Sequence, residues 1–277
     1  MTAPSSRPSP TQPPTEASPQ APTTGAEASP GREGPPSVAE AIRRLAAAQK
    51  PATKGSPPYS VFVNRRLGRL FAAIAYRFGL TPNQVSMISA VFTTAGVATI
   101  ALVEPAHSAV GLVVTLLLVV GYGLDAADGQ LARLRGGGSP AGEWLDHVLD
   151  SFKATAVHLA VLIGLFRFHE VATAWLLVPL AYTMVDSGLF FATWITERLR
   201  KETGVAVPVQ PAVPSAGLWI RRILLLPTDY GILTLVMISL PFTTAFLVLY
   251  GVMFLGTAAF TAAALPKWFR EISRAGG

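Results

Sequence analysis

From about residue 61 onward the chain is a succession of apolar runs separated by short polar turns, and the spacing within each run predicts its element. In the first stretch Leu67, Leu70, Phe71, Ile74 and Phe78 recur at helical spacing, while Arg65, Arg66, Arg69 and Arg77 take much of the remaining surface. That pattern predicts an amphipathic helix lying in the bilayer interface and ending at Gly79, just before Thr81-Pro82. Six apolar runs follow, at roughly 83–104, 107–134, 142–167, 171–197, 226–241 and 243–266, each near the roughly 20 residues a bilayer core requires except the shorter fifth. Pro227 and Pro241 bracket that fifth run, so 226–266 reads either as two spans or as one kinked long element. The expected fold is all-α and integral to the membrane: an amphipathic juxtamembrane helix over 59–81, six transmembrane helices over 82–268, and a carboxyl-terminal tail at 269–277.

The amino-terminal segment is of another kind. Residues 1–58 hold 13 of the 23 prolines, mixed with Ser, Thr, Ala and Gly, and residues 1–34 show no apolar periodicity. Such a composition buries too little surface to offset its ordering entropy, so a disordered tail is expected, and no apolar stretch in it has the form of a signal peptide. Inside it Val38, Ile42 and Leu45 form a stripe among good helix formers, predicting a short basic helix at 38–49 near the membrane surface.

Composition agrees with the membrane reading, since 51% of residues are hydrophobic and 14% charged, against about a quarter charged in an average soluble domain. The chain has no cysteine, which excludes disulfides, thiolate metal sites and a cysteine nucleophile. The net charge of +6 does not indicate nucleic acid, because the basic residues cluster beside apolar runs, as membrane flanks do next to anionic headgroups. The loop from Glu104 to Ser108 and the turn at Pro241 have no Lys or Arg, and the third-to-fourth loop has only Arg167. The opposite boundaries carry Arg133 and Arg135, then Arg198, Arg200, Lys201, Arg221 and Arg222, then Lys267, Arg270 and Arg274. This alternation predicts a multi-pass protein of the cell membrane with both termini cytoplasmic.

Against that apolar background the acidic residues of the second and third runs are conspicuous, because a carboxylate inside a membrane segment is costly unless compensated. Asp125 and Asp128 are three apart and Asp146 and Asp150 four apart, so on helices each pair projects from one face. If the two helices pack face to face, four carboxylates converge in a low-dielectric pocket and must take up protons or bind cations. Oxygen ligands without thiolates favour Mg²⁺ or Mn²⁺, and two such ions would balance four Asp, an arrangement suited to in-line displacement at phosphorus. Gly129 and Ala132 remove bulk where a ligand would approach, Arg133 offers planar phosphate recognition, and Gly136 to Gly138 let the chain turn back into the third run.

The run Asp125-x-x-Asp128-Gly129-x-x-Ala132-Arg133, then eight residues, then Gly142-x-x-x-Asp146-x-x-x-Asp150 resembles the signature of the CDP-alcohol phosphatidyltransferase family, with every defining position filled. The six spans, the amphipathic helix before them and Pro82-Asn83-Gln84-Val85-Ser86 are also similar to that family, over about 61–270. The resemblance implies a metal-dependent enzyme of phospholipid biosynthesis that moves a phospho-substituent from a CDP-linked donor to an alcohol and releases CMP, with its active site at the cytoplasmic face. It further implies Asp125, Asp128, Asp146 and Asp150 as metal ligands, Asp150 as the base for the acceptor hydroxyl, and Gly129, Ala132, Arg133 and Gly142 around the CDP group. Homodimers are common in that family, although no interface motif is evident in this sequence.

Two directions of transfer are open. Asp146-His147-x-x-Asp150-Ser151 is similar to choline and ethanolamine phosphotransferases, which take a soluble CDP-alcohol and a lipid acceptor. Arg135 with the triple glycine and the compact size resemble bacterial phosphatidylinositol-phosphate and related synthases, which take CDP-diacylglycerol, and this direction is favoured here. A cation-coupled transporter is the alternative of another class, since paired intramembrane carboxylates also line ion pathways. Arg221 and Arg222 read either as positive-inside flanking or as an acceptor-phosphate site, and Asn64 and Arg65 as groups reaching the same mouth or a lipid headgroup. Lys153 is placed to pair with a carboxylate or to reach the interface, His158 reads as a buried structural imidazole, and Asp186 carries no assigned role.

Overall fold

The computed structural model describes residues 37–49, 52–53, 56–205 and 215–275, so most of the proline-rich tail lies outside the described residues. Its elements are helical: α1 (Val38–Ala47), α2 (Arg65–Arg77), α3 (Pro82–Leu102), α4 (Ser108–Leu134), α5 (Pro140–Phe168), α6 (Thr173–Thr203), α7 (Ala216–Leu224), α8 (Tyr230–Val236) and α9 (Thr243–Ala275). A π-helical turn over Ser60–Asn64 leads into α2, and 3₁₀ turns at Leu226–Thr228 and Met237–Ser239 flank α8. Five of the helices, α3, α4, α5, α6 and α9, are long and apolar enough to cross a membrane. The expected count of six spans is not confirmed by length among the described residues. The fifth apolar run gives only the short apolar stretch Tyr230–Ser239, because Asp229 caps its start and Pro241 follows its end.

Local chemistry sets the helix ends that matter for the site. Thr81 and Gln84 form a reciprocal capping box, with Pro82 opening α3 at a position where its missing N–H costs nothing. Ser139 accepts from the Gly142 N–H at 3.1 Å and Pro140 opens α5, so Asp146 and Asp150 follow in its second and third turns. Gly79, at φ +73°, ends the α2 segment in the left-handed conformation that glycine adopts without strain, and Gly204 closes α6 in the same way. Two regions read as irregular from sequence are helical: α7 lies in the stretch between the fourth and fifth runs, and α9 continues to Ala275 through the expected tail.

The long helices pack so that their ends segregate. At one end the Arg167 guanidinium donates to the Ala101 carbonyl at 3.3 Å and His169 Nδ1 bonds Thr243 Oγ1 at 2.8 Å, tying together the end of α3, the α5–α6 turn and the start of α9. At the other end Arg200 of α6 forks onto Glu271 of α9 at 2.7 and 2.8 Å. The core between them is built from Val114, Leu118, Val157, Val161, Met237 and Phe246. Residues 230–239 lie along α4: Tyr230 meets the Tyr122 ring edge-on at 5.1 Å, and the Ile238 carbonyl lies against Gly111. A second cluster joins Leu45 of α1 and Ala72 and Ala75 of α2 to Val85, Ala127 and Leu131, so α1 and α2 cover the last turns of α4.

Small residues set how closely these elements approach. A Cβ at Gly111 would lie 2.5 Å from the Ile238 carbonyl oxygen, which is backbone and cannot swing aside. Gly111→Ala is therefore expected to cost about 1–3 kcal/mol and lower the thermal unfolding midpoint in detergent. Gly188→Ala, where nothing lies within 4 Å, should leave the midpoint unchanged or raise it, with a helix-propensity gain of up to about 1 kcal/mol.

Candidate active site

The carboxylates come from the last three turns of α4 and the first turns of α5. Asp125, Asp128 and Asp146 each place a carboxylate oxygen within 4.8 Å of the other two, and Asp146, His147 and Asp150 bring one ligand atom each into a second group of the same reach. Such a set, carboxylate oxygens with one imidazole beside them, suits hard divalent cations of the Mg²⁺ or Mn²⁺ kind. His147 sits at the edge of the group, its ring packed against Trp194 with centroids 5.9 Å apart.

Asp125, Asp128 and Asp150 each bond a neighbour. Asp128 is buried, and its two oxygens have separate donors: Ser86 Oγ of α3 bonds Oδ2, and the Gly129 N–H bonds Oδ1. That pair of contacts leaves Asp128 one rotamer. Lys153 of α5 bonds Asp125 Oδ1 across the helix pair and Asp150 Oδ1 at 3.1 Å on its own helix. Tyr230 places a buried hydroxyl, without a hydrogen-bond partner among the described residues, in the field of Lys153, Asp125 and Asp150.

The glycines and arginines of the motif have separate places. A Cβ on Gly129 would lie 3.7 Å from Arg133 Nη1, so the bare position leaves room beside that guanidinium. A Cβ on Gly142 would lie 3.2 Å from Asn83 Oδ1, so its bareness allows the start of α5 to approach the start of α3. Ala132 lies at the turn, its Cβ 3.9 Å from the Cβ position of Gly138. Arg65, at the start of α2, is half-buried close enough to Arg133 for the two guanidinium groups to repel, and burial draws the Arg65 guanidinium below its ordinary pKa. Gln130 Nε2 holds this end of α2 through the Arg65 carbonyl at 3.2 Å, and Gly68 makes the crossing close, since a Cβ there would meet Gln130 and Ala126 below 3.0 Å. Arg133 thus lies close to Asp128 with a second arginine from another helix beside it, a fit for a diphosphate.

The other arginines singled out from sequence divide. Arg221 is exposed on α7, whereas Arg222 is buried with its guanidinium 4.8 Å from the Phe62 ring centroid and 4.7 Å from that of Trp219. Asn64 is buried in the π-helical turn with Oδ1 lacking a hydrogen-bond partner among the described residues. Sequence reasoning gave no weight to Tyr122 or to the anchoring of Asp229, which accepts from the Tyr59 N–H at 2.7 Å and the Gly231 N–H at 3.1 Å. An aromatic inside an apolar run carries no signal of its own; the Asp229-x-Gly231 start was the visible part. Arg222→Lys keeps the charge but loses the planar stack, so thermal unfolding should show a loss of about 1–2 kcal/mol, while Arg221→Lys should leave the midpoint unchanged.

No curated protein sequence matches this chain. The CDP-alcohol phosphatidyltransferase family matches residues 79–264, from the end of α2 well into α9, which takes in both carboxylate-bearing helices. With about two thirds of its length matched, five membrane-length helices and the converging carboxylates inside the matched region, the chain belongs to the CDP-alcohol phosphatidyltransferase family.

Proposed function

We propose that this protein transfers a phosphatidyl group from CDP-diacylglycerol to a polar alcohol, releasing CMP, in phospholipid biosynthesis. The observation that carries the reading is the convergence of Asp125, Asp128 and Asp146 oxygens with Arg133 close to Asp128, at the end of the bundle that carries most of the basic residues. That end is assigned to the cytoplasm by the charge alternation. The choice of a lipid-bearing donor is supported by the likeness of Arg135 and the triple glycine Gly136 to Gly138 to synthases that take CDP-diacylglycerol.

In this reading Asp125, Asp128, Asp146 and Asp150 would hold two divalent ions, Mg²⁺ or Mn²⁺. When bound, these supply charge neutralisation on the diphosphate and on the departing phosphate. Arg133 and Arg65 bind the donor's diphosphate, and Gly129 leaves space beside Arg133 for the nucleotide to approach. Asp150 takes the proton of the acceptor hydroxyl as its oxygen bonds the phosphorus carrying the diacylglycerol; the phosphoanhydride bond breaks and CMP leaves with the electron pair. Ser86 and the Gly129 N–H keep Asp128 aligned through the reaction.

The test is CMP release by purified protein in detergent with Mg²⁺ or Mn²⁺, comparing CDP-diacylglycerol with CDP-choline and CDP-ethanolamine over a panel of alcohol acceptors. Release from CDP-diacylglycerol alone is expected, with Asp150→Asn lowering the rate by about 10²-fold or more. Release only from the soluble donors would reverse the assigned direction. A folded protein that releases CMP from no donor would remove the reading.

A further inference from the structure

The motif's charge balance pairs four aspartates with two dications, but the structure adds a fifth charge. Lys153 is one turn beyond Asp150 on α5, with 12% of its side chain exposed, and its ammonium bridges Asp125 and Asp150 from opposite helices. Each of these two carboxylates gives Oδ1 to the ammonium, and the two also meet each other. Asp125 belongs with Asp128 and Asp146 to one group of mutually close oxygens, and Asp150 with Asp146 and His147 to the other, so Lys153 joins the two groups.

The charges set an order of filling. Among the groups in direct contact, four carboxylates, one ammonium and one dication leave a single negative charge, and Arg133 near Asp128 adds positive charge beyond them. A second dication would make the pocket positive while Lys153 still held Asp150, and cations a few Å apart at low dielectric repel strongly. A diphosphate brings the negative charge that removes this obstacle. Building on the metal-dependent reading above, we propose that Lys153 is a resident monovalent cation at the place of the second ion. The substrate-free protein then binds one divalent ion at Asp125, Asp128 and Asp146, and the second enters at Asp146 and Asp150 only with the donor's diphosphate, as Lys153 gives up Asp150. Lys153 is a positioning residue in this account: it moves no proton and holds the vacant half of the site together.

The experiment is Mn²⁺ binding to the full-length protein in detergent, stripped with chelator and titrated by electron paramagnetic resonance of the free ion, with and without CDP as the nucleotide probe and with CDP-bound Mn²⁺ in buffer subtracted. Wild type should bind one Mn²⁺ tightly and gain the second on addition of CDP. Lys153→Gln should bind the second without nucleotide, about tenfold tighter or more than wild type, and Lys153→Arg should keep the wild-type order. Two equal ions in the wild type without CDP would overturn the proposal, as would a Lys153→Gln protein with unchanged stoichiometry and affinity. Should that variant fail to fold, the wild-type count with and without CDP decides alone. No Mn²⁺ binding by the wild type under any condition would overturn the metal-site reading itself, a result distinct from two ions bound in the wrong order.

Discussion

The electrostatic cost of holding four carboxylates together within apolar helices governs this structure. Like charges a few Å apart in a low-dielectric setting are tolerated only where donors or cations are fixed around them. The elements around α4 supply these from several directions: Ser86 from α3, Lys153 from α5, and the Gly129 N–H and Arg133 from α4 itself. To be useful these groups must come close. The close contacts are made by residues with little or no side chain: Gly68 where α2 crosses α4, Gly121 against Thr93 and Ser89 of α3, and Gly142 beside Asn83. The small residues and the charged ones thus form one device.

How much of this was legible in the sequence follows from the range of each interaction. Helix-period apolarity and the Asp spacings are local, so α3 to α6, α9 and the faces carrying the aspartates could be read directly. Lys153 shows its three-residue spacing from Asp150 in the sequence, but the bond to Asp125 depends on how two helices meet and has no local sign. Arg222 followed Arg221 in an apparently uniform basic flank, and only the tertiary structure turns one into Phe62 and Trp219 and leaves the other in solvent. The length of the fifth element was ambiguous for a similar reason. Pro227 and Pro241 bounded it, but its true start is set by Asp229 binding the Tyr59 backbone, 170 residues away.

That contact gives the short α8 a role that a full-length span would not have. Asp229 fixes the entrance of α2 through Tyr59, and Gly231 packs so closely under the Tyr59 ring that a Cβ would fall 1.9 Å from it. Tyr59 stacks on Tyr122 and Tyr122 meets Tyr230, so one aromatic row connects the start of the interfacial region, the helix bearing Asp125 and the start of α8. Any shift of α2, and with it Arg65, is thereby resisted by a row that reaches the neighbourhood of Asp125 and Asp150.

Deeper in the bundle a second polar group bears on the transporter alternative, which the family match already disfavours. His158 is fully buried, its Nδ1 bonded to Tyr250 Oη at 2.7 Å, its Nε2 3.4 Å from Asp186, and its ring stacked on Tyr182, whose hydroxyl meets Thr257 at 3.2 Å. These contacts join α5, α6 and α9 side chain to side chain. A cation path through the bundle would need polar groups left open to an ion along its length. Here most of the mid-depth groups bond one another, with His158 Nε2 facing Asp186 but without a hydrogen-bond partner among the described residues, and Val161, Leu165 and Phe246 pack beyond them. The acidic cluster gathers instead at one end of the bundle, where Asp125, Asp128 and Asp146 bring their oxygens together.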